Sequence, residues 1–174
     1  MIFGISTQAY TLIHVALSLI GIVSGFVALF GMFNARRLDR WTALFLITTT
    51  LTSLTGFGFP FTRLLPAHKL GILSLVVLAI AVLARYVFHL SGHWRWIYVV
   101  TAQLAFYFNV FVLVVQAFEK VPALKRLAPT QSEGPFLIAQ LVVLAVFVAL
   151  TIAAVRRFHL GQGRPALSKA SKAS

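Results

Sequence analysis

The chain has 174 residues, of which 60% are hydrophobic and 10% charged, with a mean hydropathy of +0.94 and a net charge of +12. Soluble domains carry about 25% charged residues, so the bulk of this chain is excluded from that class. The lack of cysteine excludes disulfides, thiolate metal sites, iron–sulfur ligation and covalently attached c-type haem.

Apolar runs of about 18 residues or more read as membrane spans. Five are present, at roughly 10–33, 41–59, 67–88, 96–118 and 135–155. They predict an all-α, polytopic membrane helix bundle with one transmembrane domain over 1–159 and no soluble domain. The segment 160–174, rich in Ser, Ala, Gly and Lys, reads as a disordered basic tail. Residues Met1 to Gln8 hold no Lys or Arg, so the first run is expected to be a retained span rather than a signal peptide.

In the first run, His14, Ser18, Gly21, Gly25 and Ala28 recur at steps of four and three, which places them on one helical stripe. Gly21 and Gly25 form a small-xxx-small pair suited to close helix packing. Arg36, Arg37 and Arg40 then mark a turn, and Trp41 an interface anchor. The second run is rich in threonine, whose hydroxyls bond their own backbone or reach a neighbouring helix. It ends in Gly56-Phe57-Gly58-Phe59-Pro60-Phe61, where glycine and proline stop a helix. The three phenylalanines would shape a niche for a quinone or lipid ring.

Pro66 and His68 open the third run, whose face Ala67, Gly71, Ser74, Leu78, Ala81 and Arg85 is again dominated by small residues. Arg85 is expected to snorkel to the headgroups. His89 and His93 have a metal-like spacing, but Gly92 interrupts the helix they would need. The fourth run carries Asn109 and, seven residues later, Gln116. Amides at that depth serve as interhelical glue or as ligand contacts. A loop from Glu119 to Gly134 follows, with Glu133 and a short surface helix expected to start at Pro122. The fifth run contains Gln140 and ends at Arg156, Arg157 and His159.

Basic residues set the orientation. With the N-terminus outside and the C-terminus cytoplasmic, the inner side holds Arg36, Arg37, Arg40, Arg85, Arg95, Arg156, Arg157, Arg164, Lys169 and Lys172. The outer side holds Arg63, Lys69, Lys120, Lys125 and Arg126. Basic residues beside membrane spans point to anionic headgroups, and without a base-reading module nucleic acid is not an expected partner.

Enzymatic readings have little to stand on. Neither Glu119 nor Glu133 has an acidic partner for acid–base work, and no nucleophile elbow or phosphate-cradling glycine loop is present. His14 and His68 fall near the outer ends of parallel helices, from which two imidazoles can ligate a b-type haem. Gln116, Glu119 and Gln140 should reach the same outer level, so a polar cluster is expected beneath the 119–134 loop.

The segment Tyr107-Phe-Asn-Val-Phe-Val-Leu-Val-Val-Gln116, with Lys120-Val-Pro-Ala-Leu-Lys125 and Ala128-Pro-Thr-Gln-Ser-Glu133, resembles a stretch shared by small bacterial inner-membrane proteins of no established activity. Thr55-Gly-Phe-Gly-Phe-Pro60 and Pro66-Ala-His68 are similar too. The resemblance implies a multi-pass protein of the bacterial inner membrane. A looser likeness runs to haem bundles of the cytochrome b561 kind, whose two histidine pairs within facing spans this chain lacks. The expected role is that of a non-enzymatic accessory or assembly subunit, docking on a membrane partner or a second copy. The alternatives are electron transfer through haem b or a quinone and, third, a small transporter.

Overall fold

A computed structural model describes residues 4–59 and 66–158. The expected tail, His159, Pro60, Phe61 and Arg63 lie outside these residues. Those described form helices and no strands. The helices are α1 (Thr7–Phe33), α2 (Asp39–Gly56), α3 (Pro66–Val82), which continues into a π-helical turn (Leu83–Val87), α4 (Trp94–Lys120), α5 (Pro122–Leu127) and α6 (Gly134–Arg157).

Local chemistry accounts for the helix ends. Ser6 caps α1 by accepting a hydrogen bond from the Ala9 amide at 3.2 Å. Pro122 and Pro135 sit in the first turns of α5 and α6, where the missing amide proton costs nothing. α2 stops where the Phe57 amide folds back on the carbonyls of Leu54 and Thr55.

Among the described residues four helices are long and apolar enough to cross a membrane: Thr7–Phe33, Ala67–Val87, Trp94–Lys120 and Gly134–Arg157. α2 falls short of the other four. It has 18 residues, about 27 Å of helix, and Asp39, Arg40 and a series of threonines dilute its apolar content. Most of those hydroxyls are spent locally. Thr48, Thr50, Thr52 and Thr55 donate to the carbonyls of Leu44, Leu46, Thr48 and Leu51, four residues back, at 2.7–2.8 Å.

α4 is the central helix, in contact with α1, α2, α3, α5 and α6. Phe106 sits mid-way along it, fully buried, and meets Phe26 of α1, Phe45 of α2 and Phe147 of α6 edge-on. The stripe on α1 lies against α2 and α4. A Cβ on Gly21 would come within 3.0 Å of Asn109 Nδ2 and 3.1 Å of Thr49 Oγ1, and one on Gly25 within 2.8 Å of the Phe106 ring. The outward faces carry Ile20, Val23 and Phe30 on α1 and Ile138, Leu141, Val142 and Val148 on α6.

At the end where α1 finishes, Arg85 departs from the expected snorkelling. It is 5% exposed, lies within the π-helical turn, and donates from Nη2 to the Arg37 carbonyl at 3.1 Å and to the Asp39 carboxylate. Its guanidinium also stands 5.2 Å from the centre of the buried Tyr98 ring. The pairing draws the α1–α2 turn onto α3. That turn holds Ala35 and Leu38 at positive φ, and Leu38 lies so close to Gly31 that a Cβ there would meet it at 2.7 Å. At the same end, Phe88 and Trp94 stack at 3.7 Å, and His89, Leu90 and Gly92 all adopt positive φ.

Candidate functional site: a lateral cavity at the opposite end of the bundle

Where α1 and α3 begin and α2 and α4 end, the four helices surround a cavity of about 480 Å³. Its lining includes His14 and Ser18 from α1, Ser53 and Gly56 from α2, His68 and Gly71 from α3, and Gln116 and Lys120 from α4. Phe57 and Phe59, which follow α2, complete it. Val15, Leu19 and Leu113 line the same space and are exposed on the outside of the bundle, so the cavity opens sideways between α1 and α4.

Small residues make room for it. Gly71 lets the Phe57 ring approach α3, where a Cβ would meet ring carbons at 3.2 Å. Phe57 in turn lies against the buried His68, with ring centres 5.6 Å apart. Phe59 stands edge-on to His14 at 5.3 Å and to Tyr10 at 5.1 Å. The Tyr10 hydroxyl donates to the Thr55 carbonyl at 2.7 Å, which ties the start of α1 to the end of α2.

His14 Nδ1 lies 2.8 Å from Thr55 Oγ1. The serine hydroxyls on the wall are engaged: Ser18 Oγ donates to Asn109 Oδ1 at 3.5 Å, and Ser53 Oγ lies 3.0 Å from both the Thr49 carbonyl and Ser74 Oγ. Gln116 Nε2 donates to Glu119 at 3.5 Å. Lys120, the last residue of α4, is exposed at the rim.

The polar residues expected to converge divide into two sets. His14, His68 and Gln116 reach the one cavity, with Glu119 beside Gln116. Asn109 lies deeper, where its amide donates to Thr49 Oγ1 at 3.2 Å and joins α4 to α2 and α1. Gln140 turns to the Phe111 carbonyl at 3.3 Å and joins α6 to α4. Glu133 is used locally at the start of α6. It accepts from Thr130 Oγ1 at 2.8 Å and from the Thr130 and Ser132 amides at 3.1 Å each. Slight desolvation pushes its carboxyl up, but these hydrogen bonds together outweigh that and hold it below the usual range.

Among the described residues no group of three or more His, Asp or Glu side chains is placed to hold a metal ion. Lys120 was counted in the sequence as an orienting charge rather than a wall residue. Its signal was its distance of four residues from Gln116, which puts both on one face of α4. No family model, curated protein or solved structure matches the chain.

Proposed function

We propose that the chain is a five-span protein of the bacterial inner membrane, N-terminus outside and C-terminus cytoplasmic, that binds a membrane-soluble ring compound of the quinone class in the lateral cavity. The carrying observation is the cavity's composition and opening. Apolar atoms make up most of its wall surface, polar side chains from all four helices converge within it, and its mouth faces the lipid side. In this orientation it sits in the outer leaflet, with Lys120 at the water edge, while Arg36, Arg37 and Arg40 flank the opposite end.

α2 is counted as the fifth span because it packs antiparallel between α1 and α3 and satisfies its hydroxyls internally. The quinone class is favoured over haem by the two phenylalanines. Phe57 and Phe59 already lie against His68 and His14, and a porphyrin between these imidazoles would displace both rings. A specific observation supports a second reading, docking on a membrane partner or a second copy: α6 is the least buried of the four long apolar helices and leaves a broad face open.

The test is to purify the full chain in detergent from bacterial membranes, record its absorption spectrum and analyse its organic extract by mass spectrometry. A stoichiometric isoprenoid quinone or quinol, lost in Gly71→Leu, is the expected result. A Soret band abolished by His14→Ala and by His68→Ala would replace it with haem. A colourless protein with an empty extract and a stoichiometric co-purified partner would leave the docking role.

A further inference from the structure

His14 approaches Thr55 Oγ1 at 2.8 Å, and the same oxygen lies 2.8 Å from the Leu51 carbonyl. Each contact this short needs a proton between its two atoms. A carbonyl supplies none and the threonine hydroxyl supplies one. One arrangement therefore satisfies both contacts: Thr55 donates to Leu51, and His14 Nδ1–H donates to Thr55. The opposite assignment would set two oxygen lone pairs against each other at 2.8 Å within the apolar part of the bundle. Thr48, Thr50 and Thr52 of α2 follow the same rule and bond back to the preceding turn.

The ring is thereby fixed with its proton on Nδ1. Lys120 already places a positive charge on the wall; among the described residues no carboxylate lines the cavity itself, and Glu119, outside the lining, is engaged by Gln116. A second cation there would be uncompensated, so the imidazole is neutral and Nε2 carries a lone pair. Among the described residues no donor reaches Nε2. The other hydroxyls of the wall are committed, Thr11 to Thr7, Ser18 to Asn109 and Ser53 to Thr49 or Ser74. On its α1 side the cavity therefore presents an acceptor in want of a donor, with an ammonium group at its rim.

We infer that the cavity selects a ring bearing an aromatic hydroxyl, so that the quinol form binds in preference to the quinone, with its hydroxyl donating to His14 Nε2. This rests on the quinone-class reading above and deepens it. A quinone carbonyl has no proton to offer, and it would face Nε2 lone pair to lone pair unless the imidazole gave up its bond to Thr55.

The test is calorimetric titration of the detergent-solubilised full chain, under argon, with a decyl-substituted benzoquinol and its matching quinone. The quinol is expected to bind at least tenfold more tightly. Thr55→Val frees the imidazole to take either tautomer and His14→Gln offers both a donor and an acceptor, so each is expected to bring the ratio close to one. Equal or reversed affinities in the unaltered protein overturn the inference and leave the cavity's ligand class standing. An unchanged ratio in folded Thr55→Val also overturns it. If Thr55→Val does not fold, the ratio in the unaltered protein decides. Binding of neither compound removes the quinone-class reading and this inference with it.

Discussion

At the scale of single residues, several packing contacts set a large side chain directly against a glycine. A leucine at Gly25 would drive into the Phe106 ring, which is itself held by Phe26, Phe45 and Phe147. Gly25→Leu is therefore expected to cost about 1–3 kcal/mol or more, read as a loss of thermal stability in detergent, while Gly134→Ala, with open space around it, should cost far less. Arg85 and Asp39 form an unequal pair, since the arginine side chain is 4% exposed and the aspartate 75%. Arg85→Met removes hydrogen bonds to a carboxylate and to the Arg37 carbonyl and is expected to cost about 2–4 kcal/mol. Asp39→Asn, at a solvated position, is expected to cost about 1 kcal/mol. The same thermal measurement separates the two, and a larger loss for Asp39→Asn would contradict the clamp. Glu133 gives a pH dependence of known sign. Its carboxyl is depressed in the folded protein, so its contribution is fully present above the ordinary carboxylate value of 4.5 and is lost as pH falls through the folded value below it. The protection of the Thr130 and Ser132 amides, taken relative to their intrinsic exchange rates, is expected to fall over that acidic window and to be low throughout in Glu133→Gln. The pairing of Arg85 was hidden in the sequence because snorkelling and burial look alike until the partner's position is known. Asp39 lies 46 residues away, directly after a turn shaped by left-handed Ala35 and Leu38.

At the scale of helices, the apolar runs of the sequence mark where α1, α3, α4 and α6 lie, because a continuous apolar run is the direct signature of a long buried or lipid-facing helix. The short α5 was visible through Pro122 at its first turn. The π-helical turn at Leu83–Val87 had no such signal, since nothing in its composition distinguishes it from an ordinary last turn. α2 is where the expected span and the helix's apolar content part. The threonines that lower its apolar content are the ones whose protons stay within the helix, so the count of polar side chains overstates what the surroundings must solvate. Cysteines placed singly at Arg36 and at Phe57 test this element directly. With α2 as a span, a membrane-impermeant thiol reagent applied to whole cells should label position 57 and spare position 36. Labelling of both from one side would make α2 a helix that does not cross. A reporter fused after Ser174 should be active in the cytoplasm, and outward activity would reverse the orientation.

At the scale of the whole molecule, the cavity was partly legible. His14 and His68 were readable as neighbours because α1 and α3 run in the same direction and both start at one end. That Asn109 and Gln140 would be drawn off to Thr49 and Phe111 was not, since an amide at depth takes whichever carbonyl or hydroxyl the packing offers. α4 is both the centre of the bundle and the supplier of the cavity's last wall, through Gln116 and Lys120. α1 and α2 are adjacent in the chain and can pair as soon as both have left the ribosome. The bond from Ser18 to Asn109, by contrast, spans 91 residues. Chains are made at roughly 5–20 residues per second, so the α1–α2 hairpin waits on the order of several seconds before the helix that completes it is synthesised. During that interval the cavity lacks the wall that α4 supplies through Gln116 and Lys120. Under the proposed reading, loading of the cavity is therefore a late event in biogenesis, and a nascent chain stalled before Lys120 is expected to insert and pair its first helices without retaining the compound.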